Sequence, residues 1–149
     1  NANSIAGGKT PLSSMSPSIV LKDKKPYLAI GSAGGPRIIT GTLQGIINAI
    51  DFDMNPEQLV NAPYVNCLTR EQGLEAEFGI SQDTLRLLEE RGHKPVCIEA
   101  DQAMSTMVNS VMLKDGEYYA AGTKRVDGCG GVLLSNGNII LEGISQEIS

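Results

Sequence analysis

Apolar residues recur at two different spacings, which predict strands at the start of the chain and a helix directly after them. Short apolar runs bounded by turn residues predict strands at about 18–22 and 26–31, joined by a charged turn from Lys22 to Lys25. The next apolar residues recur at helical spacing and predict an amphipathic helix from Pro36 to about Ile50. They are Ile39, Leu43, Ile46, Ile47 and Ile50. Pro36 suits a first helical position, where its missing N–H would have no partner in any case.

Capping residues predict two further helices in the middle of the chain. Asn55 is a typical N-cap, Pro56 follows at the first helical position, and Gln58 completes a capping box. A glycine-containing stretch, about 63–80, is predicted to be irregular. The third helix begins after Ser81 and stops at Gly92, a typical helix terminator. Its inward-facing residues are Leu85 and Leu88.

The last third of the chain returns to strand patterns. The segment "PVCIE", residues 95–99, predicts one strand. Two hairpins follow, one over 103–122 turning at Asp115-Gly116 and one over 131–143 turning at Asn136-Gly137. Strands, then helices, then strands indicate an α+β fold with a mainly antiparallel sheet. The 149 residues suffice for one domain, and no repeat or linker divides them.

Composition and charge exclude several classes of protein. A net charge of −5 and the lack of clustered basic residues argue against nucleic-acid binding. No apolar run approaches the roughly 18 residues that span a bilayer, so membrane insertion by this chain is not expected. No signal-peptide pattern is visible, and residues 1–2 are compatible with an expression scar. Three widely spaced cysteines form neither a disulfide framework nor a zinc motif, and we expect buried or half-buried thiols.

No complete nucleophile-and-base set is present. The only histidine, His93, follows a helix-ending glycine and is expected to be an exposed or helix-capping residue. The acidic run from Asp51 to Asn55 resembles the start of a calcium loop. That loop needs a glycine and a glutamate where this chain has Pro56 and Ala62. We therefore predict no metal site. Asn55 serves better as a helix cap.

The segment "GSAGGPRI" is a candidate for carbonyl chemistry. Gly34 and Gly35 follow a strand and precede a helix, and glycines allow φ values that turn adjacent N–H groups the same way. The helix N-terminus adds partial positive charge. This is the arrangement of an oxyanion hole, which stabilises charge on a carbonyl oxygen during acyl transfer. A tight turn with no function has the same spacing.

Two further polar segments have both a functional and a local interpretation. Ser13 and Ser14 in "PLSSMSP" lie between prolines and could hold a carboxylate through several hydrogen bonds. They could equally satisfy local backbone groups, as turn serines do. The glycines of "RVDGCGGV" are expected to form a turn between strands, where Arg125 and Asp127 could pair.

Several segments in order resemble the carboxy-terminal part of the small catalytic subunit in the gamma-glutamyltranspeptidase family. They are "GGKTPLSSMSPSIV", "AIGSAGGPRIITGTLQGIINAIDFDMNPEQLVNAP" and "LRLLEERGHK". The resemblance extends over most of residues 3–131 and is strongest in the first 65. It identifies residues 1–149 as a single-domain fragment of that subunit.

The resemblance implies a fold and a mechanism. Members are N-terminal nucleophile (Ntn) hydrolases with a four-layer αββα sandwich. Their precursor cuts itself, and a new N-terminal threonine becomes the nucleophile, with its own α-amino group as base. By resemblance, Ser13 and Ser14 hold the substrate α-carboxylate, and Gly34 and Gly35 form the oxyanion hole. No metal or organic cofactor is implied.

The chain departs from the family pattern in ways that define what it lacks. The nucleophilic threonine lies several tens of residues upstream of PLSSM in the family, whereas twelve residues precede Ser13 here. The groups that bind the substrate α-amino group, and a carboxylate-binding arginine of the large subunit, also lie outside this chain. Ala33 replaces a common proline. Pro36 replaces a common serine and removes a hydroxyl donor.

The implied function is transfer of a γ-glutamyl group, from glutathione or a related amide, to water, an amino acid or a peptide. The implied partners are the large subunit and the upstream part of the small subunit, and the family suggests a periplasmic or secreted location. Without them the chain is expected to be inactive, and its exposed apolar surface could produce a homodimer. Alternatives are a related Ntn-hydrolase acylase, a poly-γ-glutamate depolymerase, a non-enzymatic carboxylate-binding module, and a structural α+β domain.

Overall fold

The computed structural model describes residues 3–69, 71–98 and 106–142. The suggested expression scar at 1–2, the last residue of the strand predicted at 95–99, and the segment 103–105 that opens the first predicted hairpin lie outside these ranges. So does position 143 at the end of the second hairpin. In the described parts the helices are α1 (Ile38–Ile50), α2 (Pro56–Asn61) and α3 (Gln82–Glu90). The strands are β1 (Ser18–Lys22), β2 (Lys25–Ala33), β3 (Val65–Asn66), β4 (Leu74–Glu77), β5 (Pro95–Ile98), β6 (Met107–Lys114), β7 (Glu117–Gly122), β8 (Gly130–Leu133) and β9 (Ile139–Glu142).

The predicted α+β fold is confirmed, with a mainly antiparallel sheet at its centre. Six strands form that sheet in the order β1-β2-β6-β7-β8-β9, and every neighbouring pair is antiparallel. The β6–β7 hairpin turns at Asp115 and Gly116, whose positive φ values of 53° and 82° suit a two-residue hairpin loop. The β1–β2 hairpin turns likewise at Asp23 and Lys24, with φ values of 52° and 63°.

The hydrophobic core lies between α1, α2 and one face of this sheet. From the sheet it receives Leu28, Ile30, Val108 and Met112, which are 4% exposed or less. From the helical side it receives Ala49, Leu59, Val60 and Tyr64. The capping box predicted for α2 is confirmed, because the Asn55 side chain accepts from the Gln58 N–H and the Gln58 side chain accepts from the Asn55 N–H.

Helix α1 packs on the sheet through its small residues rather than through its large ones. Gly41 and Gly45 are buried, and a Cβ at Gly45 would lie 2.5 Å from Cδ1 of Ile30. The large apolar residues that predicted the helix point mostly away from the core. Ile39, Leu43 and Ile50 are each more than half exposed. The missing side chains at the glycines allow the helix backbone to approach the sheet closely.

The opposite face of the six-stranded sheet is uncovered by the described residues and is apolar. One row across the paired strands is formed by Ile19, Ala29, Val111, Ala120, Gly131 and Leu141. Ile19 is 72% exposed and Leu141 is 53% exposed. A sheet with one helical layer and one bare apolar face is half of a four-layer αββα arrangement.

The prediction of an irregular stretch at 63–80 was wrong, because β3 and β4 lie within it. They form a second sheet of order β3-β4-β5, in which β4 and β5 are parallel and α3 connects them. The capping of α3 by Ser81 is confirmed, and Leu85 is buried as predicted, with Leu88 half-buried. Glutamates in β4 obscured the strand pattern.

Two other predictions need correction. Helix α1 begins at Ile38 rather than Pro36, because Gly35–Arg37 forms a 3-10 turn and the positive φ of Gly35 does not fit an α-helix. The cysteines are exposed rather than buried, since Cys97 lies on edge strand β5 and Cys67 and Cys129 lie at strand ends. None of the described helices is both long and apolar enough to cross a bilayer.

Candidate functional site

The two predicted serines lie in an extended segment just before β1. Ser13 is exposed and Ser14 is half-buried. Ser13 Oγ accepts a 3.2 Å hydrogen bond from the Met15 N–H, which is a local turn interaction. The Ser14 C=O accepts from Ser16 Oγ at 3.0 Å. Among the described residues neither Ser13 nor Ser14 donates its hydroxyl proton, so both hydroxyl groups are available as donors.

The glycine turn connects β2 to α1. Gly34 has φ 140° and ψ 24°, and Gly35 has φ 58°, so both lie in the region that favours glycine. The Gly34 C=O accepts from the Arg37 N–H at 3.2 Å. Within the described ranges the N–H groups of Gly34 and Gly35 have no hydrogen-bond acceptor. Two adjacent free N–H groups at a helix N-terminus are suited to an anionic oxygen.

The sheet register places the serines and the glycines at the same end of the β1–β2 hairpin. The ladder runs one residue for one from Val20↔Leu28 to Ser18↔Ile30, where pairing ends. Ser13 and Ser14 precede β1, and Gly34 and Gly35 follow β2, so both pairs of residues lie beyond this end of the ladder. No hydrogen bond joins the two segments in the described structure. They share an end of the sheet rather than a direct contact.

A polar stripe on α1 and the turn before it binds the small sheet. Arg37 donates to both carboxylate oxygens of Glu75, with Nε–Oε2 2.7 Å and Nη2–Oε1 2.6 Å. Thr40 Oγ1 donates to Asn66 Oδ1 at 2.8 Å, and Asn66 Nδ2 donates to Glu75 Oε2 at 2.9 Å. Gln44 accepts from the Val65 N–H and donates to the Val65 C=O. The stripe is defined by Arg37, Thr40 and Gln44.

The Arg37–Glu75 pair shifts the titration of both partners. The hydrogen bond from Arg37 holds the pKa of the Glu75 carboxyl below its usual range, against a smaller opposing effect of burial. The same hydrogen bond raises the pKa of Arg37. The side chains are 27% and 21% exposed, so the pair is partly screened by solvent.

The structure does not pair Arg125 with Asp127. Arg125 instead binds Glu77 of β4, while Asp127 is exposed and has a left-handed φ of 54°. The guanidinium also donates to the C=O groups of Val60 and Ala62 and to Thr123 Oγ1. These contacts use all five of its N–H donors and anchor α2 and the small sheet to the end of β7. Arg125 is therefore a structural residue at the junction of these elements.

The other sequence candidates have no partner suited to chemistry. His93 is exposed beyond the end of α3, as predicted, and its N–H donates to the Leu88 C=O. In the described ranges no three His, Cys, Asp or Glu residues come close enough to hold a metal ion. Asn55 is occupied as the cap of α2.

A groove of about 1270 Å³ in the described structure is not lined by Ser13, Ser14, Gly34 or Gly35. It lies beside α2 and β7–β9, and its lining includes Tyr27, Met54, Tyr119 and Ile140. Helices α1 and α2 pack on β2, β6 and β7, and the groove lies where this helical cover ends. Ser13 and Gly35 are exposed, and Ser14 and Gly34 are half-buried.

Comparison with known proteins identifies the family. The profile of the family described as gamma-glutamyltranspeptidase matches residues 1–132. A glutathione hydrolase proenzyme from Escherichia coli is 42% identical over 84% of this chain and 21% of the relative. One from Pseudomonas sp. is 45% identical over 62% of this chain and 16% of the relative. Acylase ACY 1 proenzyme from Pseudomonas sp. is 35% identical over 85% of this chain and 22% of the relative. The chain spans about a fifth of the length of these curated relatives.

Solved structures give the same result for the fold. A mutant of Helicobacter pylori gamma-glutamyltranspeptidase is 38% identical with a TM-score of 0.73, covering 84% of this chain and 68% of that one. Cephalosporin acylase from Bacillus halodurans has a TM-score of 0.69, covering 75% of this chain and 21% of that one. At 24% identity the likeness shows the fold alone. The chain thus has part of the αββα Ntn-hydrolase fold expected from its sequence, and its relatives are proenzymes. It belongs to the gamma-glutamyltranspeptidase family.

Proposed function

We propose that this chain is the C-terminal part of the small catalytic subunit of a gamma-glutamyltransferase or glutathione hydrolase. The observation that carries the proposal concerns hydrogen bonds among the described residues. There the N–H groups of Gly34 and Gly35 have no acceptor, and they lie at the same end of the sheet as the serine hydroxyls, which also have none. One group of donors suits a developing oxyanion and the other suits a carboxylate. A γ-glutamyl substrate carries both a reacting carbonyl and an α-carboxylate.

In the proposed reaction the nucleophile is a threonine outside this chain. Its hydroxyl oxygen attacks the γ-carbonyl carbon, and its own α-amino group takes the hydroxyl proton. The carbonyl oxygen becomes an oxyanion that accepts from the N–H groups of Gly34 and Gly35. Collapse breaks the amide bond, and the leaving amine takes the proton, which leaves a threonyl γ-glutamyl ester. Water, an amino acid or a peptide then attacks the ester.

Ser13 and Ser14 position the substrate by donating to its α-carboxylate. A hydrogen bond to a charged group contributes about 1.5–3 kcal/mol. Because the α-carboxylate is unchanged by the reaction, these contacts form equally in substrate and transition state and act mainly on KM. The Met15 N–H already orients Ser13 Oγ through its 3.2 Å hydrogen bond.

The remaining parts of the site come from the rest of the same precursor. The large subunit and the upstream part of the small subunit would supply the nucleophile and the α-amino contacts, and would cover the bare apolar face of the six-stranded sheet. Residues 1–149 alone form one domain-sized fragment without catalytic activity. In the absence of its partners this face favours self-association.

A second candidate within the family is an acylase that cleaves a different side-chain amide. The similarity to the Pseudomonas acylase proenzyme favours it. A poly-γ-glutamate depolymerase and a carboxylate-binding module remain as outcomes of the same test. Turnover of a γ-glutamyl anilide, a glutaryl amide and poly-γ-glutamate by the full-length protein distinguishes the three enzymes.

The test uses the full-length protein that contains this chain. We expect Ser13→Ala and Ser14→Ala each to raise the KM for a γ-glutamyl anilide about tenfold or more, in line with a lost hydrogen bond to a charge. Ser135→Ala, at an exposed site in the β8–β9 loop, is the control and should leave KM unchanged. No γ-glutamyl turnover, or an unchanged KM in both serine variants, would contradict the proposal.

A further inference from the structure

The glycine turn has no side chains of its own to hold it in place. In the described structure a Cβ at Gly35 would meet nothing within 4 Å, so the space beside this residue is open. The 3-10 turn that begins at Gly35 has no side-chain cap. On one side the ladder of β2 ends at Ala33. On the other side Arg37 is the first residue whose side chain is anchored.

We propose that Arg37 and Glu75 are a positioning pair that fixes the orientation of the Gly34–Gly35 turn. The inference rests on the proposed function of that turn as an oxyanion hole. Neither side chain touches the reacting atoms in this account. Arg37 acts through its own backbone, whose N–H is bonded to the Gly34 C=O and thereby orients the peptide group between Gly34 and Gly35. The N–H of Gly35 belongs to that same peptide group.

The pair is built more rigidly than an ordinary surface ion pair. Two parallel hydrogen bonds of 2.6 and 2.7 Å fix the guanidinium plane against the carboxylate. Glu75 lies on β4, the central strand of the small sheet, with β3 on one side and β5 on the other. Asn66 on β3 adds a third hydrogen bond to the same carboxylate. The anchor is therefore a sheet rather than a loop.

The rest of the polar stripe extends the attachment along the helix. Thr40 reaches Asn66, and Gln44 bonds both backbone groups of Val65, so three side chains on one side of the segment bind β3 and β4. The first turn of α1 cannot rotate without breaking them. Since catalytic geometry is sensitive to shifts of about 1 Å, a turn that is free to flip would lose transition-state stabilisation.

The test compares Arg37→Lys and Glu75→Gln in the full-length protein, with rates normalised to the processed, inhibitor-titrated active sites. Arg37→Lys keeps the charge but cannot make two parallel hydrogen bonds. We expect each variant to lower kcat about 10- to 100-fold at unchanged KM, because oxyanion contacts form in the transition state. The double variant should lose no more than the worse single one, since the two residues act as a unit. Arg86→Lys, at an exposed pair with Asp83, is the matched control.

Each other outcome overturns the inference in a recognisable way. A raised KM at unchanged kcat would mean that Arg37 contacts the substrate directly. A kcat within twofold of the unmodified enzyme in both variants would remove the positioning role while leaving the proposed function intact. Failure of both variants to mature, while the Arg86 control matures, would make the pair a folding element only. Absence of γ-glutamyl turnover in the unmodified protein would contradict the proposed function and this inference with it.

Discussion

Glu77 and Arg125 form a buried ion pair that joins the two sheets, with Nη2–Oε2 at 2.5 Å and side chains 6% and 13% exposed. The carboxylate also accepts from the Tyr64 N–H at 2.9 Å, and the guanidinium lies 5.1 Å from the Tyr64 ring centroid. Burial raises the pKa of the Tyr64 phenol, whose hydroxyl donates to the Leu59 C=O. Strand β4, helix α2 and the end of β7 therefore share one polar junction.

Removing one partner of this pair should destabilise the protein strongly. We expect Arg125→Met to lower the free energy of unfolding of the full-length protein by about 3–5 kcal/mol, because Glu77 would remain buried without a counter-charge. Chemical denaturation followed by circular dichroism measures the change. Arg86→Met, which breaks the exposed pair with Asp83, should cost under about 1 kcal/mol. Equal effects of the two substitutions would show that the junction is not buried in solution.

Because α1 lies close to the sheet, a side chain added at Gly41 should clash with the sheet, and a smaller residue at position 106 should relieve that clash. A Cβ at Gly41 would overlap Cγ2 of Thr106, which is 3% exposed, and would lie 3.3 Å from Ser32 Oγ. Overpacking of this kind costs about 1–3 kcal/mol, more than the roughly 1 kcal/mol that alanine gains over glycine in a helix. Gly41→Ala should therefore lower the melting temperature. Adding Thr106→Ser, which removes the overlapping methyl group, should restore part of the loss, and no restoration would contradict the packing.

The Arg37–Glu75 pair should produce an acid-dependent contribution to stability. The folded-state pKa of Glu75 is lowered, chiefly by the Arg37 hydrogen bond. The stabilisation is therefore complete above the unfolded-state pKa of about 4.3 and is lost as pH falls through the lower folded-state value. Melting temperatures of the unmodified protein and Glu75→Gln should differ most near neutral pH and converge in acid. A difference that is constant down to about pH 2 would contradict the shift.

The elements predicted correctly from the sequence are those with local signals. The capping box of Asn55 and Gln58 and the Asp115-Gly116 turn depend on residues at most three positions apart. Strands β3 and β4 were missed because their pairing is not local, and because Glu75 and Glu77 are charged residues inside a short strand. Their partners Arg37 and Arg125 lie 38 and 48 residues away in sequence. Single-chain patterns carry no signal for such distances.

The sequence motifs predicted which residues form the candidate site, but not how the fold arranges them. Positive φ at Gly34 and Gly35 follows from two adjacent glycines between a strand and a helix. Two features are visible only in the folded chain: the N–H groups of these glycines have no acceptor among the described residues, and Ser14 lies beyond the same end of the sheet. The positioning role of Glu75 could be inferred only once β4 had been placed beside the start of α1. In the proposed function the nucleophile is a threonine outside this chain.

The bare face of the six-stranded sheet should control association. We expect the isolated chain to self-associate at micromolar concentration, and Val111→Lys, at the centre of the apolar row, to reduce this in light scattering. Leu87→Lys on α3 is the control, since Leu87 is 49% exposed but lies outside the row. In the full-length protein Val111→Lys should instead prevent maturation. A monomeric isolated chain would contradict the need for a covering partner.

The most direct test of the central claim is the intact mass and N-terminal sequence of the native polypeptide that contains "PLSSMSPSIV". If this chain is part of an autoprocessed gamma-glutamyltransferase, that polypeptide begins with a threonine several tens of residues upstream of Ser13 and co-purifies with a larger subunit. A native polypeptide that begins near Asn3 would contain no nucleophile. That result would contradict the catalytic account and leave a binding or structural role.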